Sequence, residues 1–402
     1  MMAEAESRIA SKEPLLEVAR DRVRHFQSGT MALADDVYSV PASHYFDEDR
    51  FKLEVDRIFK RVPLLLAPTA ELPNPGDYKA MDVCGVPVVL VRNADGQINA
   101  FYNSCSHRGS YLLDEGTGNI KRFACPYHGW TFDLEGDLQA IVLEKNFGHI
   151  EKSQYGLVSL PVTERAGLIW AILNPQSNVD FDAFLAGYDE LLGGFGFENW
   201  HLFQTRTLRG PNWKIAYDGY LDFYHLPVLH RTTFADINSN KGNYYAYGPH
   251  QRLVFPDFGL DGVARQAENE WSEQFLLDGV WTIFPHISIA SFDGGGRGVM
   301  LSQLFPGATP GESFTTQYYL MQSPPDESQR EAAVEQFTLL KYVVESEDYA
   351  TGLAQQKSLE AGTRDHVLFG RNEGGGHTFH RWVQRIIDTD DQQLPGLFES
   401  GI

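Results

Sequence analysis

Two short segments of this chain each pair a cysteine with a histidine. Cys105-Ser106-His107 is followed by seventeen residues and then by Cys125-Pro126-Tyr127-His128. Each segment offers one thiolate and one imidazole, and four such ligands can close around zinc or around an iron–sulfur cluster. The distribution favours the cluster. Two loops that each supply one Cys and one His can place both thiolates on one iron and both imidazoles on the other, a requirement that zinc does not impose. Gly109 and Gly129 follow the two segments and would let backbone amides approach the cluster sulfurs, Pro126 would stiffen the second loop, and Trp130 and Phe132 would shield one side.

A second group lies downstream in Asp222, His225 and His230. Asp222 and His225 stand at i, i+3 and share a helix face. His225 and His230, at i, i+5, point about 140° apart on an ideal helix. They converge only if the helix breaks, and Pro227 predicts the break because it lacks an N–H and clashes with the preceding turn. Two histidines and a carboxylate with open positions bind non-haem Fe(II), leaving one face for O₂ and water. Two ordinary histidines near a helix end are the alternative.

Both groups resemble known motifs. The first, with its His-Arg-Gly (107–109) and His-Gly-Trp (128–130) continuations, resembles the Rieske [2Fe–2S] signature. The second resembles the motif of Rieske non-haem iron oxygenase large (alpha) subunits, an acidic residue (Asp218) and then Asp-x-x-His-x-x-x-x-His. The resemblance implies that Cys105, His107, Cys125 and His128 hold the cluster and that His225 and His230 bind a mononuclear Fe(II). In the family the third ligand lies in a Glu-Asp pair followed eight residues later by Gln. Glu347-Asp348 and Gln356 fit that spacing, so Asp348 is the expected ligand and Glu347 the alternative. Asp222 is implied to be the catalytic link between centres, bonded to His225 and, across a subunit boundary, to a Rieske histidine, here His128. Gly219 replaces the family's usual Asn, and Leu353 replaces its Glu.

The elements that must position these residues are readable in outline. Apolar positions at helical spacing predict a helix over 9–28 and another over 44–61. From about residue 62, β-branched runs alternate with turn signals. Helical texture returns near 214–230, aromatic strands fill 243–322, a charged helix spans 326–358, and a short helix covers 379–387. The expected class is α+β: a small all-β Rieske domain (42–165) and a catalytic domain (166–402) with an antiparallel sheet flanked by helices, of helix-grip, START-like form. Residues 1–41 are expected to pack on the catalytic domain. Cys84 reads as a small buried residue at a strand end, and the glycine runs 294–296 and 374–376 read as loop tips. Candidate substrate-cavity residues are Tyr220, Leu221, Leu226, Phe234, Trp281, Phe284 and Ile289.

A net charge of −21 argues against nucleic acid as a partner, because phosphate binding needs a cationic surface. No apolar run is long enough to span a bilayer, and no basic and apolar leader is read at the N-terminus, so the expected location is cytoplasmic. By resemblance, the chain is the terminal oxygenase of a system that hydroxylates an aromatic or other apolar substrate with O₂. Its electrons would come from NAD(P)H through a separate reductase or ferredoxin. Monooxygenation or O- or N-demethylation of a non-aromatic substrate is the alternative. A homotrimer is implied, with or without a small beta subunit.

Overall fold

Short strands joined by tight turns build the smaller of two units in the computed structural model, which describes residues 12–237 and 239–399. This unit spans Phe59–Phe181, and the rest of the described chain forms the larger one. It contains a four-stranded antiparallel sheet (Ile98–Tyr102, Val86–Arg92, Asp77–Val83, Gly116–Asn119). Two three-stranded sheets complete it, Phe123–Ala124 with Thr131–Phe132 and Leu138–Ala140, and Val162–Arg165 with Leu168–Ala171 and Leu64–Pro68. Its core gathers Val89, Val91, Phe101, Phe123, Trp130 and Phe132 around Cys105 and Cys125. Cys84 is not a buried strand residue. With Gly85 it forms the two-residue turn between paired strands, both at positive φ (55° and 80°), the conformation a tight hairpin requires.

The larger unit is built on a seven-stranded antiparallel sheet. Its strands run, in spatial order, His201–Gly210, Ser313–Met321, Gly298–Pro306, Ile287–Phe292, Val280–Ile283, His250–Val254 and Asn243–Tyr247. The helix Lys12–Ser28 belongs to this unit; Ile9, at the start of the expected helix, lies outside the described residues. Its buried Arg22 donates to the carbonyl of Phe255 (2.6 Å) and to Asp278 Oδ2 (2.9 Å). No helix among the described residues is long and apolar enough to cross a membrane.

Two features differ from the sequence reading. Residues 374–376 are not a loop tip but the first turn of the helix Gly374–Asp388. A Cβ at Gly375 would collide with the carbonyl of Leu221, so only glycine lets this helix approach the segment that carries Asp222. Residues 42–58 pack in the larger unit, whereas 166–181 lie in the smaller one, where Leu168–Ala171 pairs with Leu64–Pro68.

A buried charge cluster explains where 42–58 go. Glu54, fully buried, accepts from Trp213 Nε1 (2.9 Å), Arg50 Nε (2.8 Å) and the buried ammonium of Lys214. Burial lowers the pKa of Lys214, and the charge of Glu54 opposes that shift. Tyr45, also buried, donates to Asp218 Oδ2 (3.0 Å), and His380 bonds the other oxygen of Asp218 (2.9 Å). These contacts tie residues 45–54 and the helix Gly374–Asp388 to Trp213–Asp218, the helix that leads into the histidine motif. Removing one partner of a buried pair leaves the other charge uncompensated. Glu54→Ala is therefore expected to lower unfolding free energy by about 3–5 kcal/mol in a urea titration. A change under about 1 kcal/mol would show that the cluster does not anchor the segment.

Candidate metal centres and substrate cavity

The histidine motif begins where Asn212 caps the helix Trp213–Asp218, its side chain accepting from Lys214 N (2.9 Å). The backbone amide of Asn212 donates to Gln356 Oε1 (3.2 Å), and Gln356 Nε2 donates to the carbonyl of Tyr45 (3.1 Å). Gln356 is buried. It clamps the helix Tyr349–Glu360 against the start of the motif, which gives the Glu-Asp…Gln spacing a physical role.

The break between the histidines differs from the sequence expectation. The chain leaves the helix at Gly219 and turns through Tyr220–Tyr224, ahead of His225. Pro227 does not break a helix; it sits in the first turn of a new one, Leu226–Leu229, where its missing N–H costs nothing. His225 and His230 flank that single turn, with ring centroids 5.1 Å apart.

The carboxylates come from a π-helical stretch, Val343–Asp348, between the helices Glu327–Tyr342 and Tyr349–Glu360. The charged helix expected over 326–358 is thus widened at the residues that meet the histidines, as π-bulges often are at functional sites. Asp348 Oδ1 lies 3.1 Å from His230 Nε2 and 3.8 Å from His225 Nε2. Each Nδ1 is held from behind, His225 by Asp222 (2.9 Å) and His230 by Glu347 (2.8 Å). Glu347, weighed from sequence as a ligand, therefore stands on the far side of His230, where Thr233 also bonds it (2.8 Å). Carboxylates behind the imidazoles fix their tautomers and aim both Nε2 atoms at one point. Burial opposes protonation of both histidines. Asp222 with Asp348 outweighs it at His225, and Asp348 with Glu347 at His230, so both pKa values are raised.

Potential ligand atoms of His225, His230 and Asp348 lie within 4.8 Å of one another. Three carboxylates around two imidazoles leave a negative excess that a divalent cation largely offsets. This donor set fits Fe(II).

These residues line a cavity of about 480 Å³. Of the expected substrate-cavity residues, Tyr220, Leu226 and Phe234 line it. The other four lie outside its lining. Trp281 and Ile289 are cross-strand partners on the opposite face of the sheet from Val280 and Ala290, which do line it. Phe284 packs on Phe379, and Leu221 is buried beneath Gly375. The sequence reading omitted Phe255, Phe258, Phe292 and Met300, along with the polar floor residues Ser288, Ser302 and Gln317. The aromatic texture over 243–322 points to strands, but not to which of their faces meets the motif.

In the smaller unit the two Cys/His loops close in the same way. Gly109 N donates to the Cys105 carbonyl (2.8 Å) and Gly129 N to the Cys125 carbonyl (3.0 Å), with both glycines at positive φ. Cys105 N and Cys125 N bond the carbonyls of Ser110 and Trp130. Cys105 and Cys125 are buried side by side, and the rings of His107 and His128 are 4.7 Å apart. Both Nδ1 atoms are buried without a partner among the described residues, a costly state that coordination to iron relieves. Trp130 stacks on His107 at 4.8 Å. The pairing of thiols with thiols and imidazoles with imidazoles fits a Rieske cluster.

Ligand and positioning roles separate by metal content. Asp348→Ala is expected to retain the cluster spectrum while iron falls from about three to about two per chain. Glu347→Ala is expected to keep all the ligands but weaken mononuclear iron binding about 10–100-fold. Full mononuclear iron in Asp348→Ala, with loss in Glu347→Ala, would reverse the two assignments.

Comparison with known proteins follows this geometry. Residues 197–389 match the family described as ring hydroxylating alpha subunit (catalytic domain), and residues 62–152 match the Rieske [2Fe–2S] domain. The glycine betaine monooxygenase oxygenase subunit of Pseudomonas aeruginosa is 31% identical over 199 residues, 49% of this chain and 46% of that one. The chain spans about half the length of the curated relatives it matches. A crystal structure of a quaternary ammonium Rieske monooxygenase shares the fold with a TM-score of 0.74 at 21% identity, covering 88% of this chain and 96% of that one. Naphthalene 1,2-dioxygenase from Rhodococcus sp. does so with a TM-score of 0.71 at 18% identity, covering 94% and 99%. With both signatures accounted for, the chain carries a Rieske [2Fe–2S] domain over 62–152 and a ring hydroxylating alpha subunit catalytic domain over 197–389.

Proposed function

We propose that this chain is the terminal oxygenase of a multicomponent system and hydroxylates an aromatic or other apolar organic substrate. The observation that carries the reading is the convergence of His225, His230 and Asp348 in the lining of a cavity with largely apolar walls. When bound, the mononuclear iron supplies dioxygen activation and the cluster supplies single electrons. The chain's own residues do the rest. Asp222 and Glu347 hold the imidazoles in one tautomer, while Phe234, Phe255, Phe258 and Leu340 exclude water and bind the apolar body. Electrons come from NAD(P)H through a separate reductase or ferredoxin. In a head-to-tail homotrimer, with or without a beta subunit, Asp222 would also bond His128 of the partner subunit and link the two centres. A reducing compartment such as the cytoplasm suits the buried thiol pair.

A second reading is oxygenation or N-demethylation of a quaternary ammonium compound. The phenylalanines around the cavity support it, because aromatic faces attract such cations. Incubation with a generic reductase, NADH and isotopically labelled O₂ separates the two readings. Labelled hydroxyl in an aromatic product supports the first, and aldehyde release from L-carnitine or glycine betaine the second. Asp222→Ala is expected to keep about three irons but to lower coupled turnover about 10–100-fold or more. Near wild-type turnover in that variant would remove Asp222 from the link.

A further inference from the structure

We propose that the sheet floor of the cavity holds a polar subsite, Ser288–Ser302–Gln317, that recognises an uncharged hydrogen-bond-accepting oxygen, of carbonyl type, on an otherwise apolar substrate. The proposal rests on the oxygenase reading and narrows its substrate class.

The strand register makes the subsite. Ser288 stands opposite Ser302, and Ser302 opposite Gln317, across three neighbouring strands. Residues directly opposite in an antiparallel pair share a face. The three therefore form one continuous row, and all three line the cavity. The adjacent row on the same face is apolar: Val280, Ala290 and Met300 stand opposite one another in turn and also line the cavity. The floor thus presents a polar strip beside an apolar one. Ser302, Tyr220 and Asp348 all line the cavity, so the polar strip and the carboxylate face the same space.

The strip is oriented as a donor. At its end, Arg206 stands opposite Gln317, and Arg206 Nε donates to Gln317 Oε1 at 2.7 Å. A guanidinium has donors only, so the amide oxygen must face it and the amide nitrogen is the end available to the cavity. Arg206 is itself fixed, with its guanidinium 3.8 Å from the centre of the Phe337 ring and a second nitrogen donating to the Phe337 carbonyl. A cation bonded to the amide oxygen polarises the amide and strengthens its N–H donors. These donors suit an acceptor oxygen.

The charge of the lining chooses among acceptors. Among the described residues no Lys or Arg lines the cavity, while Asp222, Asp278 and Asp348 do. A carboxylate would meet no direct counter-charge on the floor, whereas a neutral carbonyl loses little by leaving water for a polarised donor.

The test compares acetophenone with α-methylstyrene, which has the same shape with a methylene in place of the carbonyl oxygen, and with benzoate. Dissociation constants are measured by anaerobic calorimetry on the iron-loaded chain. The wild-type protein is expected to bind acetophenone about tenfold more tightly than α-methylstyrene, and benzoate more weakly than acetophenone. Gln317→Met is expected to bring the ketone-to-alkene ratio to about one. Ser288→Ala, a smaller change, is expected to lower the ratio about threefold and decides the matter if Gln317→Met does not fold. A wild-type ratio near one, binding of neither probe, benzoate as the tightest ligand, or an undiminished ratio in a folded Gln317→Met overturns the proposal. Binding needs no turnover, so the two readings fail separately. A lost preference leaves labelled-oxygen incorporation untouched, and a retained preference without any incorporation fails the oxygenase reading alone.

Discussion

The larger unit depends on holding carboxylates and imidazoles together from segments 117 residues apart in the chain. Three carboxylates, Asp222, Glu347 and Asp348, crowd two histidines. Such a grouping repels itself unless its charges are paired, so the chain must supply restraint from outside. Gln356 ties the Asp348 helix to the amide of Asn212, and Asp218 is gripped by Tyr45 and His380. Glu54 anchors the first turn of the motif helix through Trp213 and Lys214. The restraints come from segments far apart in the chain, Tyr45 and Glu54 on one side and Gln356 and His380 on the other, so the site forms only when these parts of the unit have folded together.

The sheet supplies the rest of the site through its register. A strand places alternate residues on opposite faces, and cross-strand pairing turns those positions into rows. The same pairing that puts Trp281 and Ile289 into the core behind the sheet puts Val280 and Ala290 on the cavity floor. The cavity floor's chemistry is therefore a property of four adjacent strands aligned, and no single strand shows it.

The smaller unit reaches metal-binding geometry by repeating one device. Two loops with the same hydrogen-bond pattern, each closed by a glycine at positive φ, present their cysteines to each other and their histidines to each other. Buried, unpartnered Nδ1 atoms are what such loops look like when metal ligation, rather than protein hydrogen bonding, is their purpose.

What the sequence by itself determined is the local chemistry. The Cys/His segments are legible because their spacing is short, and a short loop aims its side chains almost regardless of context. The Asp222–His230 motif and the α+β class are legible for the same reason, since helical and strand periodicities are local. Asp348 could be named only through resemblance, because nothing local relates it to residues more than a hundred positions away. Tertiary structure alone decided the role of Glu347, the place of the break before His225, the glycine contact at Gly375 and the membership of the cavity wall. Each of these depends on which faces of distant elements meet, and that is settled by packing and register across the whole unit, not by the order of neighbours along the chain.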